Sequence, residues 1–261
     1  MKKFLTPIRE QIKNEIGDPK FPVETRRPHG YEGRVITLIL ATHDDEMALA
    51  LALSALVPAA TEGIIRDAIV VDRGSRDGTL AVADAAGCTI LLDEDGDGLR
   101  RAADCARGEW LLFLSPSALL EPGWQSDVLA FVDRAIVAGE GRNRAAAFRH
   151  GRSESGFRAR LAEGLAALRS RLLAAPYEEQ GLLISRALYR AIGGHRQLPA
   201  MADVDLARRI GRRRLSILRS RAFVRDHHGR AGGVPRAMRN AACLALFLMR
   251  LPPALIGRLA A

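Results

Sequence analysis

Cysteine is scarce in this sequence: the three present, Cys88, Cys105 and Cys243, are far apart, form no C-x-x-C pair and are too few for a disulfide framework. A reducing, cytoplasmic compartment is expected. Aromatic residues make up only 5% of the chain and are not interleaved with basic ones in the way that stacks bases, so nucleic acid is not an expected partner. Long apolar runs are missing too. The longest, 241–249, ends at Arg250 and is followed by Pro252 and Pro253, well short of the roughly 20 residues that span a bilayer. The first sixteen residues mix Arg9, Glu10, Lys13 and Glu15 among their apolar positions, which excludes the unbroken apolar core of a signal peptide. No internal repeat or low-complexity tract is found.

What is present is core material and positive charge. At 261 residues the chain is long enough for one large domain or two small ones, and 48% hydrophobic residues can fill a substantial core. The net charge of +9 comes mostly from arginine, dense between Arg142 and Arg230, and suits phosphorylated small molecules or anionic lipid headgroups.

Residues 1–33 form an extension in which Leu5, Ile8, Ile12 and Ile16 recur at helical spacing before Gly17, Asp18 and Pro19, predicting a short amphipathic helix and a linker. From there the pattern alternates. Strands are predicted at 35–41, 68–71, 88–92 and 110–114, with helices at 46–57, 77–86 and 99–106 between them. That order specifies an α/β fold: a central, mostly parallel sheet flanked by helices, with ligands bound at the carboxyl ends of the strands. Beyond Gly123 we expect helices at 124–137, 157–172 (carrying Arg158, Arg160, Arg169 and Arg171 on one face), 186–192 and from about Asp203. Strands are expected at 145–148, 181–184 and near Leu215 and Phe223, with a terminal helix from Pro235. The domain is expected over 34–261, with one half at 34–123, a second at 124–233 and the helix at 234–261.

Two polar clusters fall directly after buried strands. The first is Ala41-Thr42-His43-Asp44-Asp45-Glu46; the second runs from Val70 to Thr79 as Val-Val-Asp-Arg-Gly-Ser-Arg-Asp-Gly-Thr, with Asp72 ending the strand. A carboxylate there can accept hydrogen bonds from a base N–H or a ribose hydroxyl. Taken alone, Asp72 could equally close a turn and Asp77 cap its helix. Asp93-Glu94-Asp95-Gly96-Asp97-Gly98 has the outline of a calcium loop, but it follows a strand rather than a helix and has Arg100 at position eight, so it is read as a strand-to-helix turn.

The two clusters resemble family 2 glycosyltransferases, whose first strand ends in Pro-Thr-x-Asn-Glu-Glu and second in Val-Val-Asp-x-Gly-Ser-x-Asp-Gly-Thr. Further on, 106–114 is similar to the strand that leads into the family's Asp-x-Asp metal motif, and Glu121-Pro122-Gly123-Trp124 to the segment after it. Residues 176–181, Ile192-Gly193-Gly194 and 201–206 resemble the Asp-Gln-Gly, Gly-Gly-Phe and Glu-Asp-Val-Glu-Leu segments of a bacterial subgroup. The resemblance implies the GT-A fold, a Rossmann-like α/β domain. It implies transfer of a sugar, with inversion, from a nucleotide sugar to a hydroxyl on a glycan, lipid-linked or small-molecule acceptor. It also implies Asp203 as general base, Thr42, Asp45 and Asp72 around the nucleoside, Ser115 and Ser117 beside the diphosphate, and Gln180 in the donor site. A carboxylate at a helix start suits a base, although Asp203 could also simply cap its helix.

Two departures stand at the reaction centre. Where the family has Asp-x-Asp, the chain has Ser115-Pro116-Ser117, and hydroxyls do not replace the hard anionic ligands that hold Mg²⁺ or Mn²⁺. Ala202 replaces the glutamate beside the base. Both point either to metal-independent transfer or to a GT-A-fold module that binds a nucleotide, glycan or partner without turnover. Guanidinium groups pair bidentately with phosphate, which makes Arg73, Arg100 and Arg101 candidates to stand in for the cation. His227 and His228 are candidates for a pyrophosphate contact. A peripheral contact with the inner face of the membrane, through the arginines and the apolar C-terminal helix, is a further expectation.

Overall fold

The computed structural model describes residues 36–151, 181–198 and 202–224. The helices expected at 5–16, 157–172 and from 235, together with Gln180, His227 and His228, lie outside the described residues.

The first half alternates as its apolar periodicity predicts. Strand β1 (Ile36–Thr42) leads to α1 (Glu46–Thr61), β2 (Ile65–Asp72), α2 (Thr79–Ala85), β3 (Thr89–Leu92), α3 (Gly98–Cys105) and β4 (Trp110–Leu114). β1 and β4 are apolar runs because strands or helices cover them on every side: Ile36, Leu38 to Leu40, and Trp110 to Leu112 are each at most 1% exposed. β2 begins three residues earlier than expected. Its opening Ile65-Arg66-Asp67 hides the strand behind two charges, yet Ile65 pairs with Ile36 and Asp67 accepts a hydrogen bond from Thr37 at 2.5 Å. α1 continues past Pro58 to Thr61, and its end is closed by the amides of Glu62, Gly63 and Ile64 bonding back to Pro58, Ala60 and Ala59.

The second half reverses direction. After β5 (Ala118–Leu120) and α4 (Trp124–Val137) come β6 (Ala145–Gly151), β7 (Leu182–Ser185), α5 (Arg186–Ala191), α6 (Ala202–Ile210) and β8 (Leu215–Val224). The sheet order is β3-β2-β1-β4-β7-β6-β8-β5. β2–β3, β1–β2, β1–β4 and β6–β8 are parallel, whereas β4–β7, β6–β7 and β5–β8 are antiparallel. β5 has no counterpart in the sequence reading, and β8 is one ten-residue strand in place of two short ones.

Strand alternation splits the core between the two faces of the sheet. On one, Trp110 meets Phe131 of α4 edge-on, with ring centroids 5.7 Å apart. On the other, Ile39, Val71, Leu111 and Phe113 pack with Ala102 and Ala103 of α3, Tyr189 of α5 and Leu206 of α6. Among the described residues, no helix is long and apolar enough to cross a membrane.

Candidate functional site

The parallel register brings four strand ends to one edge. Thr42 pairs with Asp72, Asp72 with Leu92, and Leu40 with Leu114, so the turns after β1, β2, β3 and β4 emerge side by side. This is the carboxyl edge at which such sheets hold ligands.

Asp72 is 1% exposed and organises the second turn. Its Oδ2 accepts the N–H groups of Gly74 and Ser75, both at 3.0 Å, while its Oδ1 accepts the Ser75 hydroxyl and, at 3.4 Å, the Thr42 hydroxyl. Burial works against its charge, but these bonds outweigh that and hold its pKa below the ordinary carboxylate value. Gly74, at φ +86°, supplies the left-handed step that the turn needs.

The turns after β1 and β2 are clasped together. The amides of Asp44, Asp45 and Glu46 donate to Ser75 Oγ, Thr79 Oγ1 and Asp77 Oδ2, at 2.9, 2.9 and 3.1 Å. In return the amides of Arg76 and Gly78 donate to the carboxylates of Asp44 and Glu46, at 2.7 and 3.1 Å. Asp44 adopts φ +52°, a left-handed conformation that an aspartate tolerates and that this clasp fixes. Asp45 also accepts the His43 amide at 3.1 Å.

The turn after β3 is built around Asp93, whose side chain is only 4% exposed. It accepts the Gly98 amide at 2.7 Å and lies 3.8 Å from Arg73 Nε and 4.0 Å from Arg101. Arg101 itself donates to the Leu92 carbonyl at 2.6 Å and to Asp95 at 3.3 Å, and Arg100 is held by Asp97. The six-residue acidic segment is thus a strand-to-helix turn with arginine partners. After β4, Ser115 Oγ accepts the Ser117 amide at 3.3 Å and the Ser115 carbonyl accepts the Ala118 amide at 3.0 Å. The donor set at this turn, two hydroxyls around a proline, does not fit Mg²⁺ or Mn²⁺. Among the described residues, no group of three or more His, Cys, Asp or Glu side chains is arranged to hold a metal ion.

The reversed strand completes the edge. β7 runs against β4, with Phe113 opposite Leu182 and Trp110 opposite Ser185, so α5 starts at the far side of the sheet and returns the chain toward the crevice. Ser185 caps α5 by accepting the Leu188 amide at 3.2 Å. At the end of α5, Gly193 and Gly194 turn with φ +80° and +63°, and a Cβ on Gly194 would fall 2.8 Å from the Tyr189 ring. The turn lays His195 on Tyr189 and Phe113. The ring centroids of His195 and Phe113 are 4.9 Å apart, and the Tyr189 hydroxyl bonds His195 Nδ1 at 2.8 Å. Burial, with the nearby charges of Arg209 and Arg73, lowers the His195 pKa to about 4 against an upward pull from Asp205, which leaves the ring neutral at pH 7. α6 then presents Asp203 and Asp205 in its first turn, with Asp205 bonded to Arg209 at 2.8 Å and 3.5 Å from Arg196.

Thr42, Asp45 and Asp72 therefore belong to one hydrogen-bonded unit, Arg101 to the turn beside it, Ser115 and Ser117 to the turn after β4, and Asp203 to α6. Tyr189, His195 and Arg196 escaped the sequence reading. The Gly193-Gly194 pair was the one local signal of a tight approach there.

The chain matches no protein-family model and no curated protein sequence. Its fold does match solved structures, and they define it as a GT-A-type, Rossmann-like α/β domain with a curled mixed sheet. Glucosyl-3-phosphoglycerate synthase from Mycobacterium tuberculosis, in complex with phosphoglyceric acid, is 19% identical over 84% of this chain and 81% of that one, with a TM-score of 0.55. The same enzyme in complex with Mn²⁺, uridine diphosphate and glucosyl-3-phosphoglycerate gives 21% identity, the same coverage and a TM-score of 0.54. A further mycobacterial protein gives 19% identity, 84% and 76% coverage, and a TM-score of 0.56.

Proposed function

We propose that this chain is a glycosyltransferase of the family 2 type that moves a sugar, with inversion, from a nucleoside-diphosphate sugar to a hydroxyl acceptor. One observation carries the reading: a buried aspartate, Asp72, closing a Gly-Ser turn beside Thr42 at the carboxyl edge of a GT-A sheet. The similarity to a synthase solved with Mn²⁺ and uridine-diphosphate-glucose supports it.

The nucleoside lies against Thr42, Asp45 and Asp72, with 34–123 as the nucleotide half and 124–233 as the acceptor side. The bond from Thr42 to Asp72, at 3.4 Å the longest in the turn, is the one a ribose hydroxyl or base N–H displaces. Ser115, Ser117, Arg101 and Gln180 border the diphosphate and sugar. Asp203 takes the proton from the acceptor hydroxyl as its oxygen bonds to the anomeric carbon. The bond from that carbon to the diphosphate breaks on the opposite face, and its electron pair leaves with the diphosphate. In the resembled family a divalent cation neutralises that leaving group; the donor set at Ser115-Pro116-Ser117 does not provide for one. The acceptor is a glycan, a lipid-linked or a small molecule, met in the cytoplasm or at the inner face of the membrane.

Transfer from a panel of nucleotide sugars, assayed with and without Mn²⁺, tests this. Ser115-Pro116-Ser117 together with Ala202 also favours a second reading, a GT-A module that binds without turnover. Asp203→Asn separates the two. It abolishes transfer while nucleotide affinity holds under the first reading, and changes no biochemical property under the second.

A further inference from the structure

We propose that Arg73 and Arg196 form a phosphate clamp that holds the donor's diphosphate without a divalent cation. The inference rests on the nucleotide-sugar reading above and adds how the charge of the leaving group is met.

Several arginines stand at the carboxyl edge, and their hydrogen bonding sorts them. Arg100 donates to Asp97 at 3.1 and 2.7 Å, Arg101 to the Leu92 carbonyl and Asp95, and Arg209 to Asp205 and the Ile192 carbonyl. These guanidiniums hold the turns together. Arg73 and Arg196 differ. Arg73 has only a 3.8 Å approach to Asp93, and Arg196 only a 3.5 Å approach to Asp205. Neither guanidinium donates a hydrogen bond to a described residue, and their side chains are 49% and 60% exposed, which leaves each with N–H groups beyond its one ion pair.

Their positions converge. Arg73 directly follows Asp72 in the turn after β2, and Arg196 directly follows His195 in the segment that α5 returns to the crevice. The two segments approach each other: Gln197 Cγ would lie 3.9 Å from a Cβ on Gly96, in the turn that holds Asp93, the carboxylate that Arg73 faces at 3.8 Å. Arg73 and Arg101 face Asp93, Arg101 also faces Asp95, and Arg196 and Arg209 share Asp205, while burial keeps the His195 ring uncharged at neutral pH.

A phosphate needs what these two groups offer. A guanidinium is charged at every physiological pH and presents a planar fork that matches two phosphate oxygens. Two such forks on separate segments stabilise the negative charge that grows on the diphosphate as the bond to the sugar breaks. The electron pair of that bond stays on the diphosphate oxygen, and the proton released by the acceptor goes to the base, so no other co-reactant is required.

Calorimetric titration of the full chain with inorganic pyrophosphate, with uridine, and with the diphosphates of uridine, guanosine, adenosine, cytidine and thymidine, each in EDTA and in Mn²⁺, tests the clamp. The expected result is that pyrophosphate and one nucleoside diphosphate bind in EDTA within about threefold of their affinity in Mn²⁺. Arg73→Ala and Arg196→Ala each weaken both ligands by about tenfold or more. Arg190→Ala, an exposed arginine paired with Asp104, leaves them within about twofold. Both clamp residues are exposed, and unchanged denaturation midpoints confirm that the variants fold. A nucleoside diphosphate that binds only with Mn²⁺, or equally well to both variants, overturns the clamp and leaves the nucleotide-sugar reading intact. Pyrophosphate held through Arg73 and Arg196 with no nucleoside diphosphate bound overturns the nucleotide-sugar reading and, with it, the donor as the ligand of the clamp, leaving a site for a phosphate of another kind. No binding of any of these ligands overturns both.

Discussion

The Tyr189 hydroxyl and the His195 imidazole form a closed pair: the His195 amide donates to the Tyr189 oxygen at 3.1 Å, and that hydroxyl lies 2.8 Å from His195 Nδ1. The amide takes one acceptor position of the Tyr189 oxygen, and that oxygen and Nδ1 share one further hydrogen bond whose direction follows the tautomer of the neutral ring. The folded pKa is about 4, below an unfolded value of about 6.5, so between these limits the unfolded chain binds more protons. This stabilisation is complete above about pH 6.5 and is lost as the pH falls toward 4, by up to roughly 3 kcal/mol. Urea midpoints measured from pH 7 to 4 are expected to fall for the native chain and to fall less for His195→Gln. Tyr189→Phe, which removes both bonds, is expected to cost about 1–3 kcal/mol at pH 7.

Asp72→Asn places an amide NH₂ where four donors converge. The Asn oxygen can keep the Gly74 and Ser75 amides while its NH₂ donates to the Ser75 and Thr42 hydroxyls, so the loss is that of the charge on four bonds, at a cost of about 1–3 kcal/mol in denaturant unfolding. The acid side has a sign as well. Because its bonds hold the Asp72 pKa below its unfolded value, its contribution is present above that unfolded value and is lost as the pH falls through the folded one. The Asn variant lacks this component of acid unfolding.

Gly98→Ala tests the packing beneath the third turn. A Cβ there would stand 2.5 Å from Val71 Cγ1 and 2.7 Å from Asp93 Cγ, both in the interior, so neither neighbour is a flexible end that swings away. The expected loss is about 1–3 kcal/mol, read as a lower denaturation midpoint. Gly78→Ala meets the end of the Glu46 side chain at comparable distances and is expected to cost less.

Asp127 ties α4 to β8 by accepting the amides of Arg219 and Ser220 and the Ser220 hydroxyl, at 2.7, 2.8 and 3.0 Å. Asp127→Ala strands these donors. Hydrogen exchange at the amides of 219 and 220 is expected to accelerate while that of β1 is unchanged, and stability is expected to drop by about 1–3 kcal/mol.

The parallel half of the fold was legible because β1, β4 and the last four residues of β2 are buried on both faces and so read as apolar runs, and because helical spacing separates them. β5 was not, since Ala118-Leu119-Leu120 is too short to show a period. The reversal of β7 was not either: Gly181 to Ser185 has the same apolar pattern whichever way it runs, and its direction is set by where the chain re-enters the sheet. β8 looked like two strands because Arg219 and Arg221 interrupt its apolar residues, although alternation carries them to the outer face. At the site, Asp72 and its turn could be read from the spacing of Gly74 and Ser75. Tyr189, His195 and Arg196 could not, because their meeting with Phe113 and Asp205 depends on how α5 recrosses the sheet.

The clasp between the turns after β1 and β2 bears on how a ligand is received. Asp44, Asp45, Glu46, Ser75, Asp77 and Thr79 fix one another before anything arrives, so the ordering entropy of both turns is lost during folding and not again on association. Under the proposed reading this wall of the crevice meets its ligand preorganised and selects by fit, as a rigid mould does. Any adaptation to different guests has to come from the other wall.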